Sequence, residues 1–134
     1  MSPLADIYVV IYQNNGLYNH WSLFIDGPTE EEKLLLHIEG RPQHFRFESK
    51  YSNAHKSAKV LEMIKMCRVA VSKTAEIEKI AEEQEVKNQY AGYNCQDYNI
   101  ELLDRLEECG LIDRTDPDYK EKKELVKSKQ KGLF

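Results

Sequence analysis

Two segments of alternating hydrophobicity, separated by a Gly-Pro break, most constrain how this chain can fold. The first reads His20-Trp21-Ser22-Leu23-Phe24-Ile25-Asp26 and the second Lys33-Leu34-Leu35-Leu36-His37-Ile38-Glu39. Side chains alternate faces along a strand. Trp21, Leu23 and Ile25 therefore share one face, and His20, Ser22 and Phe24 the other. In the second segment Leu34, Leu36 and Ile38 share a face, with Lys33, Leu35, His37 and Glu39 opposite. Gly27-Pro28-Thr29 breaks the first segment, so the two read as paired strands. Setting His20 across from His37 places Trp21 against Leu36 and Leu23 against Leu34. The two histidines then become cross-strand neighbours on one face.

The surrounding pattern extends this pair into a sheet. Residues 5–12 are rich in β-branched and aromatic side chains and read as a buried strand. Gln13-Asn14-Asn15-Gly16 is a turn signal. Residues 44–49 alternate Phe45 and Phe47 with polar neighbours and read as a fourth strand, after Gly40-Arg41-Pro42. Residues 56–72 are ambiguous: 63–71 suits a strand, and the stretch before it a helical turn. Helical patterns follow. Thr74 is the expected N-cap of a segment with Ile77, Ile80, Ala81 and Gln84 on one side. Asn94 is the expected cap of a clearer helix, whose stripe is Cys95, Tyr98, Leu102, Leu103, Leu106 and Cys109. Gly110 stands where a C′ glycine belongs. Asp116-Pro117 suggests a cap and first position for a last helix to about residue 130. That helix offers only Leu125 and Val126 as inward residues, which predicts weak packing or projection. Strands followed by helices predict an α+β domain, a small antiparallel sheet packed against helices, over residues 1–115. A basic C-terminal helix or tail is expected over 116–134.

Charge and cysteine usage narrow the function classes. The net charge of −4 argues against a nucleic-acid partner. Residues 117–134 carry six lysines against three acids, a basic tail that suggests weak contact with a membrane surface. Residues 74–90 carry five glutamates against two lysines and read as a solvated face. Met1-Ser2-Pro3-Leu4-Ala5-Asp6 lacks the basic and apolar regions of a secretory signal, so the cytoplasm is expected. The three cysteines, Cys67, Cys95 and Cys109, form no CxxC, which speaks against a disulfide framework or a zinc site. Cys67 and Cys109 sit in apolar patterns and read as buried thiols. His44 and His55 show no partner pattern, and Trp21 reads as core. No third or fourth metal ligand shows metal-site spacing, so no metal and no cofactor are expected.

Cys95 differs because of its position. Asn94-Cys95-Gln96-Asp97-Tyr98 opens a helix, and a helix N-terminus carries partial positive charge and unpaired N–H groups. Both favour a thiolate. An imidazole nearby can take the thiol proton and return it to a leaving group, and a second imidazole can fix the tautomer of the first. The expected roles are Cys95 as nucleophile, His20 as base and acid, and His37 as orienter. The Cys95 N–H, the Tyr18 hydroxyl and Gln96 are candidate oxyanion or supporting donors. Asp97 is expected to support the helix cap.

Tyr18-x-His20-Trp21, a second strand histidine, and Asn94-Cys95-x-x-aromatic at a helix start resemble the lecithin:retinol acyltransferase-like branch of the NlpC-type, papain-like superfamily. That branch is circularly permuted, so its histidines precede its cysteine. The resemblance covers roughly residues 7–106. It implies a permuted papain-like fold, a thioester acyl-enzyme, and acyl transfer to water, an amine or a lipid. It carries over His20, His37 and Cys95, and Tyr18 beside them. The chain departs from the pattern with Gln96-Asp97-Tyr98 where Glu-His-Phe is usual, and with no apolar C-terminal anchor. An amidase, peptidase or small-molecule acyltransferase thus stands beside a lipid-acting enzyme, with a small-molecule, peptide or lipid acyl substrate. The competing expectation is a catalytically degenerate interaction module on the same fold. Loops 40–44 and 52–56 are expected to shape the pocket.

Overall fold

A computed structural model describes residues 3–14, 16 and 18–130. Asn15 of the expected first turn, and Lys131 and the residues after it in the basic tail, lie outside that set. Five strands form one sheet: β1 (Leu4–Tyr12), β2 (His20–Asp26), β3 (Lys33–Glu39), β4 (Arg46–Tyr51) and β5 (Val60–Ala70). Every pairing is antiparallel, and the order is β4-β3-β2-β1-β5. Three helices follow: α1 (Thr74–Glu83), α2 (Cys95–Glu108) and α3 (Pro117–Ser128). The chain is an α+β protein with a small antiparallel sheet. No helix among the described residues is long and apolar enough to cross a membrane.

Alternation along the strands builds two apolar layers. Ile7, Val9 and Ile11 of β1, Trp21, Leu23 and Ile25 of β2, and Leu34, Leu36 and Ile38 of β3 pack with Ile77, Ala81, Tyr98, Leu102 and Leu106 of the helices. Trp21 is fully buried there, as its alternation predicts. Full burial of each such aliphatic or aromatic side chain contributes about 1.5–3 kcal/mol. The opposite face carries a smaller cluster of Val10, Phe24, Leu35 and Ala54, with Tyr8, Tyr12, Val60 and Met63 against it. His20 and His37 alternate onto this second face, away from the helices.

Several expectations are corrected here. The β2–β3 register pairs Leu23 with Leu36 and Ile25 with Leu34. This is a two-residue shift from the pairing of His20 with His37. Continuing it sets Ser22 opposite His37, so the histidines are diagonal neighbours. An even shift keeps every side chain on its face, which is why hydrophobic alternation alone does not separate the two registers. β4 begins two residues later than expected, because buried Phe45 packs from the preceding loop. β5 spans both halves of the ambiguous stretch and starts at Val60, with the helical turn at Ala54–Lys56. Thr74 is the first residue of α1 rather than its cap, because a short 3-10 turn over Val71–Lys73 runs straight into the helix.

The end of the chain packs more closely than its sequence suggests. Asp116 caps α3, Pro117 occupies its first turn, and Tyr119 and Val126 are buried in the main core, while Leu125 is exposed. Tyr119 serves as the inward residue because its hydroxyl donates to Glu107. Lys123 bridges Asp104 and Glu107 of α2. Lys129 pairs with Glu62 of β5 at 3.2 Å, and the Gln130 side chain donates to Asp97 at 2.6 Å. Cys109 is exposed, because it stands at the C-cap beyond the last inward position, Leu106. Gly110 follows with φ +77°, as a C′ glycine should.

Candidate active site

The N-terminus of α2 is built by its own sequence. The Asn94 side chain accepts from the Gln96 N–H at 2.8 Å, and Asp97 accepts from the Asn94 N–H at 2.9 Å. This is a reciprocal capping box, with Asp97 in the expected role. Cys95 is the first helical residue and is buried. Its Sγ accepts from the Trp21 N–H at 3.3 Å and lies 3.9 Å from the Asn19 carbonyl, to which it can donate. Gln96 Nε2 donates to the same carbonyl at 3.0 Å. Asn99, one turn along, donates to the carbonyls of Trp21 and Cys95 at 3.2 and 2.8 Å. These contacts stitch the start of α2 to the start of β2. Gln96 acts as a tether for the segment that precedes His20.

The protonation of Cys95 corrects the expected thiolate. Burial pushes the thiol up to about 12. Hydrogen bonds from the N–H groups of Trp21, Cys95 and Gln96 act in the opposite direction, and the Asp97 charge adds to the rise. Desolvation therefore outweighs the helix terminus, and the resting group is a neutral thiol.

The histidines form a chain across three strands. His20 Nε2 lies 2.8 Å from His37 Nδ1, with ring centroids 5.0 Å apart. His37 Nε2 lies 2.9 Å from Glu48 Oε1 on β4. The His37 hydrogen bond is the main cause holding the Glu48 carboxyl below its ordinary range, so Glu48 is an acceptor. His37 then carries a proton on Nε2, and in the neutral tautomer its Nδ1 is an acceptor. In that tautomer His20 donates from Nε2, which leaves His20 Nδ1 as the free lone pair. Burial, then the neighbouring His37 and Lys50, lowers His20 to about 4, against a smaller opposing effect of Glu48. Burial thus keeps the His20 ring neutral at physiological pH.

Cys95, His20, His37 and Tyr18 open on one cavity of about 520 Å³. Both loops expected to shape a pocket line it, through Gly40 and through Ser52, Asn53 and Ala54. Phe45 forms part of the wall and is clamped by Asn88, whose side chain bonds the Phe45 N–H and carbonyl, each at 2.9 Å. Tyr18 is half-buried; its hydroxyl is raised by burial, then by Cys95 and Asp97. The cysteine and the histidines share the cavity, and no hydrogen bond joins Cys95 Sγ to His20 among the described residues.

Sequence reasoning missed Glu48, which no local motif marks, although a carboxylate on β3's neighbouring strand was a findable partner for His37. It also missed Glu39 as a metal-ligand candidate. His20, His37 and Glu39 each offer a ligand atom, all within 4.8 Å of one another. His55, expected to be unpartnered, bonds Asp26 at 2.8 Å and meets Phe24 edge-on.

The sequence matches, over residues 7–113, the family described as a family of unknown function, DUF6540, and the chain belongs to that family. No curated protein matches the chain. No solved structure matches it either.

Proposed function

We propose that this DUF6540 protein is a cysteine-dependent acyl hydrolase or acyltransferase with a permuted papain-like arrangement. The observation that supports this reading is the Glu48–His37–His20 chain, which ends on the cavity that also holds Cys95. In this reading His20 Nδ1 takes the thiol proton as Sγ bonds to the acyl carbonyl carbon, so no resting thiolate is required. The Cys95 N–H and the Tyr18 hydroxyl stabilise the oxyanion. Collapse of that intermediate expels an alcohol or amine, which receives the proton from His20, and leaves a thioester on Cys95. Water or another nucleophile then attacks the thioester while His20 accepts its proton, the C–S bond breaks to release the acyl product, and the departing Cys95 sulfur takes that proton back from His20. Glu48 and His37 hold the His20 tautomer throughout. The thiol must turn away from Asn19 towards His20 when substrate enters, a tightening common to unliganded sites.

The lack of a Cys95–His20 hydrogen bond favours a second reading, a catalytically degenerate interaction module. Intact-protein mass spectrometry after incubation with p-nitrophenyl acetate separates the two. One acetyl group, mapped to Cys95 and lost in Cys95→Ala and His20→Ala, is the enzymatic outcome. Wild-type protein unmodified at Cys95 is the outcome for the interaction module.

A further inference from the structure

We propose that His20, His37 and Glu39 form a binding site for a divalent transition-metal ion, with Zn²⁺ the best fit. Their three ligand atoms lie within 4.8 Å of one another at the edge of the cavity. Two imidazoles and one carboxylate are a ligand set zinc uses, with a fourth position left for solvent or substrate. The cavity supplies that open side.

Glu48 strengthens the assignment. A metal-bound histidine ordinarily donates its other ring N–H to a carboxylate, which fixes the ring and raises its basicity. His37 already does this: its Nε2 donates to Glu48 at 2.9 Å, leaving Nδ1 as the ligand atom. That atom faces His20 Nε2 at 2.8 Å. Two nitrogens about 2.0–2.1 Å from one tetrahedral zinc stand roughly 3.3 Å apart, so the rings need to part by only about half an ångström. Glu39, its side chain 40% exposed and its Oε1 3.7 Å from His37 Nε2, has the freedom to swing onto the ion. Binding replaces the proton between the rings with the metal: His20 gives up its Nε2 proton and takes one up on Nδ1, so the ring binds as a neutral imidazole with no lone pair left on Nδ1. On the acyl-transfer reading above, on which this consequence alone rests, the ion takes the base out of use and holds the enzyme inactive.

Calorimetric titration of the full chain with ZnCl₂ decides the matter, and it needs no catalytic activity. The expected result is one ion per chain, weakened at least about tenfold in Glu39→Gln and abolished in His20→Ala. Cys95→Ala should bind as the wild type does. Wild-type protein that binds no zinc, affinity unchanged in Glu39→Gln, or binding lost in Cys95→Ala would each overturn the assignment. Failure of p-nitrophenyl acetate to label Cys95 would count against the enzymatic reading and leave the titration result standing.

Discussion

The buried, neutral thiol of Cys95 makes a quantitative prediction about alkylation. A free cysteine ionises near 8.5, so about 3% is thiolate at pH 7. A thiol at about 12 is ionised to about one part in 10⁵ at that pH. The thiolate population is thus about 3,000-fold smaller. Intrinsic nucleophilicity rises with basicity and recovers roughly 30-fold over that interval, if the dependence known for thiol exchange applies. Cys95 should therefore react with iodoacetamide about 100-fold more slowly than a free cysteine at pH 7, before steric shielding is counted. The sign is fixed by the upward shift: the rate climbs tenfold per pH unit from pH 6 to pH 10 with no plateau. Peptide mapping of a timed labelling series measures this, with exposed Cys109 in the same molecule as the internal reference. Circular dichroism at each pH confirms that the fold persists. A Cys95 rate that levels off below pH 8, or exceeds that of Cys109 at pH 7, would refute the argument that burial outweighs the helix terminus.

Other perturbations test the frame around the site. Glu48→Gln should slow Cys95 acylation by p-nitrophenyl acetate about tenfold or more with the Tm nearly unchanged, because it frees the His37 tautomer; equal rates would remove Glu48 from the chain. Asn94→Ala removes a helix cap and should cost about 1 kcal/mol in urea unfolding. Gly40 has φ +125°, and a Cβ there would meet the His44 carbonyl oxygen at 2.5 Å, so Gly40→Ala should cost about 1–3 kcal/mol by the same measurement. Lys123→Met leaves Glu107, whose side chain is 11% exposed, without its cation, and should lower stability by about 1–3 kcal/mol. An unchanged urea midpoint in that variant would mean that Lys123 adds nothing to the docking of α3.

What the sequence made legible follows from how local each signal is. The bounds of β2 and β3 are readable because alternation and the Gly-Pro break lie within a few residues. Asn94 and Asp97 are readable because a capping box is a four-residue motif. β5 is harder, since it is an edge strand whose exposed residues, such as Leu61 and Lys65, dilute the pattern. α3 hides its inward face because Tyr119 and Lys123 are amphipathic and bury their apolar bodies while their polar ends bond α2. The His20–His37 contact was reachable from strand parity, but its register and its extension to Glu48 depend on pairings between strands. The charge of Cys95 was misjudged for a related reason. The helix terminus is written in the sequence beside it, whereas its burial comes from residues of a distant strand.

Strand parity also imposes a rule on how this protein can vary. The contact between His20 and His37 needs both rings on one face of the sheet, and it tolerates a slip of two residues. An insertion or deletion that slides β3 by an even number of positions keeps His37 above the cavity. A slide by one drives it into the layer of Trp21 and Leu36 and turns an apolar neighbour outward in its place. The connection over residues 27–32 therefore acts as a counter that reads only odd from even. Natural length changes there should come in steps that leave the strand in phase, and a designer who lengthens this turn should expect chemistry to survive or vanish with the parity of the slide.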